Sequence, residues 1–409
     1  MWKIYKIKEI INDFQNGYAF KADQYVEAGV PIISMQSISL EGKFVFNPDT
    51  VSKWDENTLD KLTDFILKKD DLIIAMTDVT PTKNLIGCST LVDRKGIFLL
   101  NQRVGKIEVN ENFAFKIFLD YYFKSNIWRN YCRSIAGLSV QANISERGIC
   151  RGKIKLPPLP EQKTIAAILS KVDEAIAAVE DSIKAAEKVK KALMQNLLTG
   201  KLKPDGTWRS EDEFYTDEKF GKIPKGWQVA RFKNFAVLQR GKDLTDNNVI
   251  SGNFPVVKSN GIQIYHNEYF VEPPGVVTGR SGTIGKVFYI ENQFWSHNTT
   301  LYVKDFKSNY PKYIYYLIQR MKFEQHYAGT TVPTLNRNDI HKIKVSCPNN
   351  INEQKEIIIK IDETEQLIQT KHSKIEILKK LKKSLMQNLL TGKIRVNPSQ
   401  FQQEISRFS

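Results

Sequence analysis

Cysteine is scarce and scattered. Cys88, Cys132, Cys150 and Cys347 form no CxxC pair, which argues against a disulfide framework or a thiolate zinc site and leaves reduced, buried thiols. Histidine is as thin: His266, His297, His326, His341 and His372 show neither HxxxH nor HExxH spacing, so no metal-ligating reading is expected. There is no run of about 18 apolar residues, and Met1-Trp2-Lys3-Ile4-Tyr5-Lys6 does not open a signal peptide. The expectation is a soluble, cytoplasmic chain without a membrane partner. What is present is a 409-residue chain, 41% apolar and 26% charged, enough for two or three domains with real cores rather than disorder. Lys and Arg number 60 against 45 Asp and Glu, a net charge of +15 that points toward a polyanion.

An internal repeat organises the chain. Leu193-Met-Gln-Asn-Leu-Leu-Thr-Gly-Lys201 recurs unchanged at Leu385 to Lys393, an offset of 192, and Glu161-Gln162-Lys163 recurs as Glu353-Gln354-Lys355. Without gaps, 161–201 and 353–393 share 18 of 41 residues. Inside the repeat, Val172-Asp173-Glu174 fits Ile361-Asp362-Glu363 better, at offset 189. A period near 190 is far beyond solenoid repeats and marks a duplicated half-protein.

Both copies read as long helices. Ile165, Leu169, Val172, Ile176, Val179, Ile183 and Ala186 step by four and three toward Leu193 and Leu197, an a/d seam. Ile357, Ile361, Ile368, Ile375, Leu378 and Leu385 keep the seam in the second copy, with Thr364 and Lys371 as weak points. Lysines crowd the C-terminal halves, where cations suit the helix dipole, and Gly200 and Gly392 stand where a glycine ends a helix. About 35 residues at ~1.5 Å each make a rod of roughly 50 Å. A narrow apolar seam needs a matching one, so the two copies are expected to pair as a coiled coil.

The segments before each rod carry short β-branched runs broken by Gly, Asn and Asp, the pattern of strands and turns. Aligning Trp2 with Trp227 brings Asn16-Gly17 to Arg240-Gly241 and Pro31–Ile38 to Pro255–Ile262, with 71–75 and 275–278 as a further strand pair. The expected division is 1–155 and 223–346 as globular domains, 156–202 and 347–395 as rods, 203–222 as an acidic linker and 396–409 as a polar tail. The charge is spread: +4 on 1–160, +2 and +4 on the rods, and +8 on 223–352.

Catalytic motifs fail. Gly279-Arg-Ser-Gly-Thr-Ile-Gly-Lys286 resembles a phosphate loop, but Arg280 stands where glycine is needed and Val287 replaces the magnesium-binding hydroxyl. Glu272-Pro-Pro-Gly275 lacks the amide and aromatic with which amino-methyltransferases hold a flipped base. Asp205, Asp217 and Lys219 satisfy a loose nuclease pattern without apolar strands to aim the carboxylates. No catalytic residue, metal site or cofactor site is therefore expected. Loops rich in base-reading and phosphate-holding types remain. The DNA-contact candidates in the first domain are Gln36, Ser37, Thr80, Thr82, Lys83, Asn84, Gln102, Arg103, Gln141 and Asn143. In the second they are Lys258, Asn260, Arg280, Ser281, Thr283, His297, Asn298, Thr331, Thr334 and Asn336.

The chain resembles the specificity subunit of type I restriction–modification systems. The residues that carry the resemblance are Leu156-Pro-Pro-Leu-Pro-Glu-Gln162, Val172-Asp173-Glu174, the nine-residue repeat with its second copies, Ile394-Arg395-Val396 and the opening Ile223-Pro-Lys-Gly-Trp227. It departs in one place, where Cys347-Pro-Asn-Asn-Ile-Asn352 replaces the proline-rich approach to the second rod. The resemblance implies an α+β, pseudo-twofold chain. Two globular α/β target recognition domains are joined by two long antiparallel helices that form a coiled coil and act as a spacer. It further implies a non-catalytic subunit that reads a bipartite, asymmetric site on double-stranded DNA. Its partners would be two methyltransferase subunits and, in the full complex, restriction subunits or a methyltransferase–nuclease fusion. S-adenosylmethionine, ATP and magnesium would sit in those partners. The competing expectation is a coiled-coil scaffold for proteins, without sequence-specific DNA binding.

Overall fold

A computed structural model describes residues 2–80, 82–136, 142–321, 323, 334–401 and 403. The chain divides into two compact units, residues 1–180 with 374–409, and residues 181–373. The division falls inside both long helices, Leu159–Leu197 and Ile351–Leu389, so each unit holds one globular domain and part of each helix. This differs from the expected boundaries, which kept each rod whole.

In the first unit an antiparallel sheet runs in the order Ile11–Asn16, Val104–Val109, Leu72–Ala75 and Ser89–Leu91. Val30–Ile33 pairs in parallel with Phe98–Leu100, and Lys3–Lys6 closes on Lys153–Leu156. Leu72, Ile73, Ile74 and Ala75 are all buried, as a run apolar on both faces requires. The second unit repeats the plan. Its sheet order is Val237–Arg240, Thr300–Asp305, Gly275–Gly279 and Val287–Ile290. Phe254–Lys258 lies parallel to Trp295–Ser296, and Trp227–Arg231 closes on Lys344–Pro348. The strand pairs expected from the tryptophan alignment are equivalent in this topology.

Secondary structure is present at two of the expected boundaries. Cys347 and Pro348, placed with the second rod, finish a strand of the domain. The acidic linker is not plain connector: Phe214–Asp217 and Gly221–Pro224 form a hairpin, because the Asp217 side chain accepts from the N–H groups of Lys219 and Phe220 at 2.9 Å and so holds the turn.

The long helices keep the expected seam. Ile165, Leu169, Ile176 and Ile183 are buried on one, Ile357, Ile361, Ile368 and Ile375 on the other. Within the first unit the start of the first helix packs on the end of the second. There Ile165, Ala166 and Leu169 share a core with Leu389 and Leu390, and Lys382 pairs with Asp173 at 2.6 Å. Within the second unit Leu197 and Leu198 pack with Ile357, Ile358 and Ile361, and Lys190 pairs with Glu365. The packing is antiparallel in each. Both helices have 39 residues and start 192 apart. The offset-189 match is therefore one of residue type only: Asp173 binds Tyr121 at 2.7 Å, whereas Asp362 binds Lys312 at 2.8 Å.

The repeated Glu-Gln attaches helix to domain. Buried Gln162 accepts from the Phe115 N–H at 2.8 Å and donates to the carbonyls of Phe113 and Pro157 at 3.0 and 2.9 Å. Buried Gln354 accepts from the Tyr310 N–H at 2.8 Å and donates to Asn309 and to the Pro348 carbonyl at 2.7 and 3.0 Å. Phe115 and Tyr310 cap the N-termini of Lys116–Lys124 and Pro311–Arg320. Glu161 binds Arg395 through two 2.7 Å contacts and the Trp2 indole at 3.3 Å. Glu353 binds Arg209 at 2.6 Å and the Trp227 indole at 2.9 Å. The proline-rich approach missing from the second copy is thus not needed for this attachment: the glutamine finds a Pro348 carbonyl instead of a Pro157 one.

Candidate nucleic-acid interface

Topology gathers four loops at one end of each domain. In the first unit the parallel strands Val30–Ile33 and Phe98–Leu100 point their carboxyl ends the same way, with Ile33 beside Leu100. Asn101, Gln102 and Arg103 then turn the chain tightly, the Val104 N–H donating to the Asn101 carbonyl at 2.9 Å. Val104 pairs with Ala75, so the loop after Leu72–Ala75 starts beside Arg103, where the Met76 N–H reaches the Arg103 carbonyl at 3.0 Å. Thr77–Asp78 pairs with Ala142–Asn143 and adds the fourth loop. Gly17 crosses this turn so closely that a Cβ would lie 2.1 Å from the Asn101 oxygen, which only glycine tolerates.

The second unit repeats each contact. Val257 lies beside Ser296, the Thr300 N–H donates to the His297 carbonyl at 2.9 Å, and the Arg280 N–H donates to the Thr299 carbonyl at 2.8 Å. Ser281 bridges to Thr334. A Cβ on Gly241 would lie 2.2 Å from the His297 oxygen. The loops 34–37, 76–80 with 82–84, 101–103 and 142–145 thus correspond to 258–261, 280–286, 297–299 and 334–336.

Most candidate residues come together on these loops. In the first domain Gln36, Ser37, Gln102 and Arg103 line one cleft of about 430 Å³, with Asn101, Tyr25 and Phe46. Gln36, Gln102 and Arg103 are exposed, and Ser37 is buried. Thr80 and Thr82 are exposed on the neighbouring loop. There Asp78, buried at 1% exposure, accepts from the Thr80 N–H and hydroxyl, both at 2.7 Å. Lys83 turns this loop with a φ of 49°. Asn84 accepts from Arg133 at 3.0 Å and Asn143 from Thr77 at 2.8 Å, so each already holds the fold at its amide oxygen.

In the second domain Lys258 faces Asp246 at 3.6 Å, and Asn260 is exposed beside it. Ser281, Thr283, His297 and Asn298 are half-buried. His297 lies 2.9 Å from the Thr299 hydroxyl. Burial, and then the charge of Lys258, push its pKa below the ordinary 6.5, so near neutral pH it offers hydrogen bonds rather than charge. Asn298 donates to Asp243. Thr334 is exposed. Asn336 caps Arg337–Lys342, its side chain accepting from the Asn338 N–H at 2.9 Å, as Ser145 caps Glu146–Arg151 in the first domain. Its oxygen is committed to the helix. Gln141 and Thr331 lie outside the described residues.

The catalytic near-misses have structural employment. Gly279 to Lys286 is a loop between the antiparallel strands Gly275–Gly279 and Val287–Ile290. Asp205 accepts from the Thr207 N–H and hydroxyl at 2.8 and 2.7 Å, and Asp217 holds the hairpin turn. Both carboxyls sit below their ordinary value, Asp205 through Thr207 and Asp217 through the N–H groups of Phe220 and Lys219. Among the described residues no group of three or more His, Cys, Asp or Glu side chains is placed to hold a metal ion.

The sequence profile of the family described as type I restriction modification DNA specificity domain matches residues 1–188 and 224–383. The chain belongs to this family. It is 24% identical to the type I restriction enzyme MjaVIII specificity subunit of Methanocaldococcus jannaschii over 98% of this chain and 94% of the relative. It is 25% identical to a second chain of that organism, provisionally named the MjaX specificity subunit, over 97% of this chain and 94% of the relative. The crystal structure of a type I S subunit from M. genitalium shares the fold, with a TM-score of 0.56 at 14% identity, covering 95% of this chain and 96% of that one. The members are named for specificity, a non-catalytic role in the restriction–modification complex, in keeping with the structural employment of Asp205 and Asp217.

Beside these loops lie further side chains that were not among the candidates. Arg240 donates to the Asn298 carbonyl at 3.4 Å, Arg337 donates to Gln239, and Lys242 lies 4.4 Å from the Phe270 ring centre. Tyr25, Phe46 and Asn47 line the first cleft. Arg240 had a signal, since Arg240-Gly241 aligns with Asn16-Gly17. The aromatics had none, because only the parallel strand pair brings 20–25 and 44–47 to the turn at 101–103.

Proposed function

We propose that the specificity subunit reads a bipartite, asymmetric site on double-stranded DNA, each domain contacting one half-site through its four gathered loops. One observation carries the reading: two loop sets on equivalent backbones bear different side chains. Asn101-Gln102-Arg103 stands where the second domain has His297-Asn298-Thr299, and Gln36 where it has Asn260. A shared frame with unlike donor and acceptor sets suits two different base sequences. Exposed lysines and arginines around the loops would supply phosphate contacts, which set affinity and register but not sequence.

Partner docking follows from the repeat. Burial accounts for Leu197, Leu198, Leu389 and Leu390, but Gln195, Lys201, Gln387 and Lys393 are exposed and still identical in both copies. A partner present twice would hold such residues the same, and in this family two methyltransferase subunits fill that role, with restriction subunits joining the full complex. S-adenosylmethionine, ATP and magnesium would be theirs. The complex would act in the cytoplasm, where host DNA is modified. The test is a gel shift of the full chain with its methyltransferase subunits, paired with mapping of methylated adenines in host DNA. A two-part motif with an unread gap is expected. Binding without sequence preference would sink the reading and leave the scaffold alternative.

A further inference from the structure

The equivalent backbones put one seat in both domains to unlike use. Met76 and Arg280 occupy it: each donates its N–H to the neighbouring turn, at the Arg103 and Thr299 carbonyls, and each accepts at its carbonyl, from Ile144 at 2.9 Å and Leu335 at 2.8 Å. Both are therefore pinned on two sides at the end of the same central strand. Met76 is a buried thioether at 7% exposure. Arg280 is a half-buried guanidinium. The residue before it, Gly279, is so closely packed that a Cβ would meet the Thr283 oxygen at 1.9 Å, which ties the loop back onto the strand.

Among the described residues the Arg280 side chain has no hydrogen bond or ion pair. No carboxylate among these residues acts on it: the one neighbouring charge is the Arg240 guanidinium. Burial, and after it the neighbouring charge of Arg240, lower the Arg280 pKa, yet a guanidinium does not discharge in proteins. A half-buried, five-donor fork beside a second guanidinium is completed by a ligand that offers paired acceptors. Two such ligands exist on DNA: a phosphate and the major-groove edge of guanine. The duplication separates them. A backbone anchor serves any sequence, so a phosphate contact at this seat should recur as a cation in both domains. A base reader should differ, and the first domain has Met76.

Resting on the recognition role proposed above, we infer that the Met76/Arg280 seat is a specificity-determining position and that Arg280 reads a guanine, through O6 and N7, in the half-site of the second domain. The experiment compares the wild-type chain with Arg280→Met, both with the methyltransferase subunits, by selection from random duplexes and by titration. Arg280→Met, the side chain of the other domain, should weaken cognate DNA roughly 10- to 100-fold. It should relax one guanine of the second half-site and leave the first half-site intact. Placing 7-deazaguanine at that position should cost the wild type a similar factor and the variant nothing, and the wild-type arm does not depend on the variant folding. Equal weakening on cognate and unrelated duplexes, with the salt slope falling by about one, would make Arg280 a phosphate contact and overturn the assignment. An unchanged motif would overturn it too. If the wild type itself selects no sequence, the recognition reading falls first, and the two failures are told apart.

Discussion

Gln162→Leu tests whether the repeated glutamine holds the first domain to its helix. Gln162 is 0% exposed, and its loss leaves the Phe115 N–H and the carbonyls of Phe113 and Pro157 without that partner. An orphaned buried polar group costs about 1–3 kcal/mol. Water can reclaim the partly exposed groups at Phe113 and Phe115, and leucine returns some apolar burial, so we expect a net loss of about 3 kcal/mol, more than a hundredfold in the local equilibrium. Gln162→Glu should be no better, because it keeps the acceptor for Phe115 but sets an anion against two carbonyls. The assay is hydrogen exchange by mass spectrometry with urea denaturation. Protection should fall in 11–16, 72–75 and 104–109 and hold in 237–240, 275–279 and 300–305, whereas Gln354→Leu should do the reverse. A loss below about 1 kcal/mol, or equal loss of protection in both units, would refute the argument.

Glu161 gives a pH test. Burial pushes its pKa up, but the Arg395 guanidinium, the Val396 N–H and the Trp2 indole outweigh that and hold it below the ordinary 4.5. Its contribution is therefore complete above that value and is lost as pH falls through the lower folded one. The stability difference between wild type and Glu161→Gln should shrink as pH falls below the ordinary 4.5, and a difference that grows on acidification would contradict the ion pair. Asp205→Ala and Asp217→Ala should leave methylation and cleavage by the assembled complex unchanged, with lost cleavage at intact DNA binding as the refuting result. Inserting four residues at 180/181 and again at 373/374 should lengthen the unread gap by roughly one or two base pairs without altering either half-site. Methylome sequencing would show changed half-sites with an unchanged gap if the helices are not the spacer.

Much of this was legible in one dimension. A nine-residue identity and a 3.5-residue apolar step are local patterns, so the duplication, the seam and the helix-ending glycines at Gly200 and Gly392, with φ of 70° and 72°, follow from the chain alone. Strand pairs marked by Pro31 and Pro255 were readable because proline and short β-branched runs restrict the backbone wherever they stand. The hairpin at 214–224 was not, since its acidic composition resembles a linker and only the Asp217 turn bonds distinguish the two.

Residue type alone named the polar loops but could not rank their members. Asn84, Asn143, Asn298 and Asn336 are the same side chain in sequence. In the fold Asn84 is bound to an arginine, Asn143 to a threonine, Asn298 to an aspartate, and Asn336 caps a helix. Arg280 and Met76 each follow a strand that the sequence pairs, 71–75 and 275–278, but the pairing does not fix their register. Antiparallel pairing fixes them as counterparts, registering Ala75 with Val104 and Gly279 with Thr300. Composition and periodicity determined a duplicated chain with two domains and two long helices. Which side chain remains free to meet a ligand was decided by tertiary packing, because a hydrogen-bonding group is available only when the folded neighbours have not already engaged it.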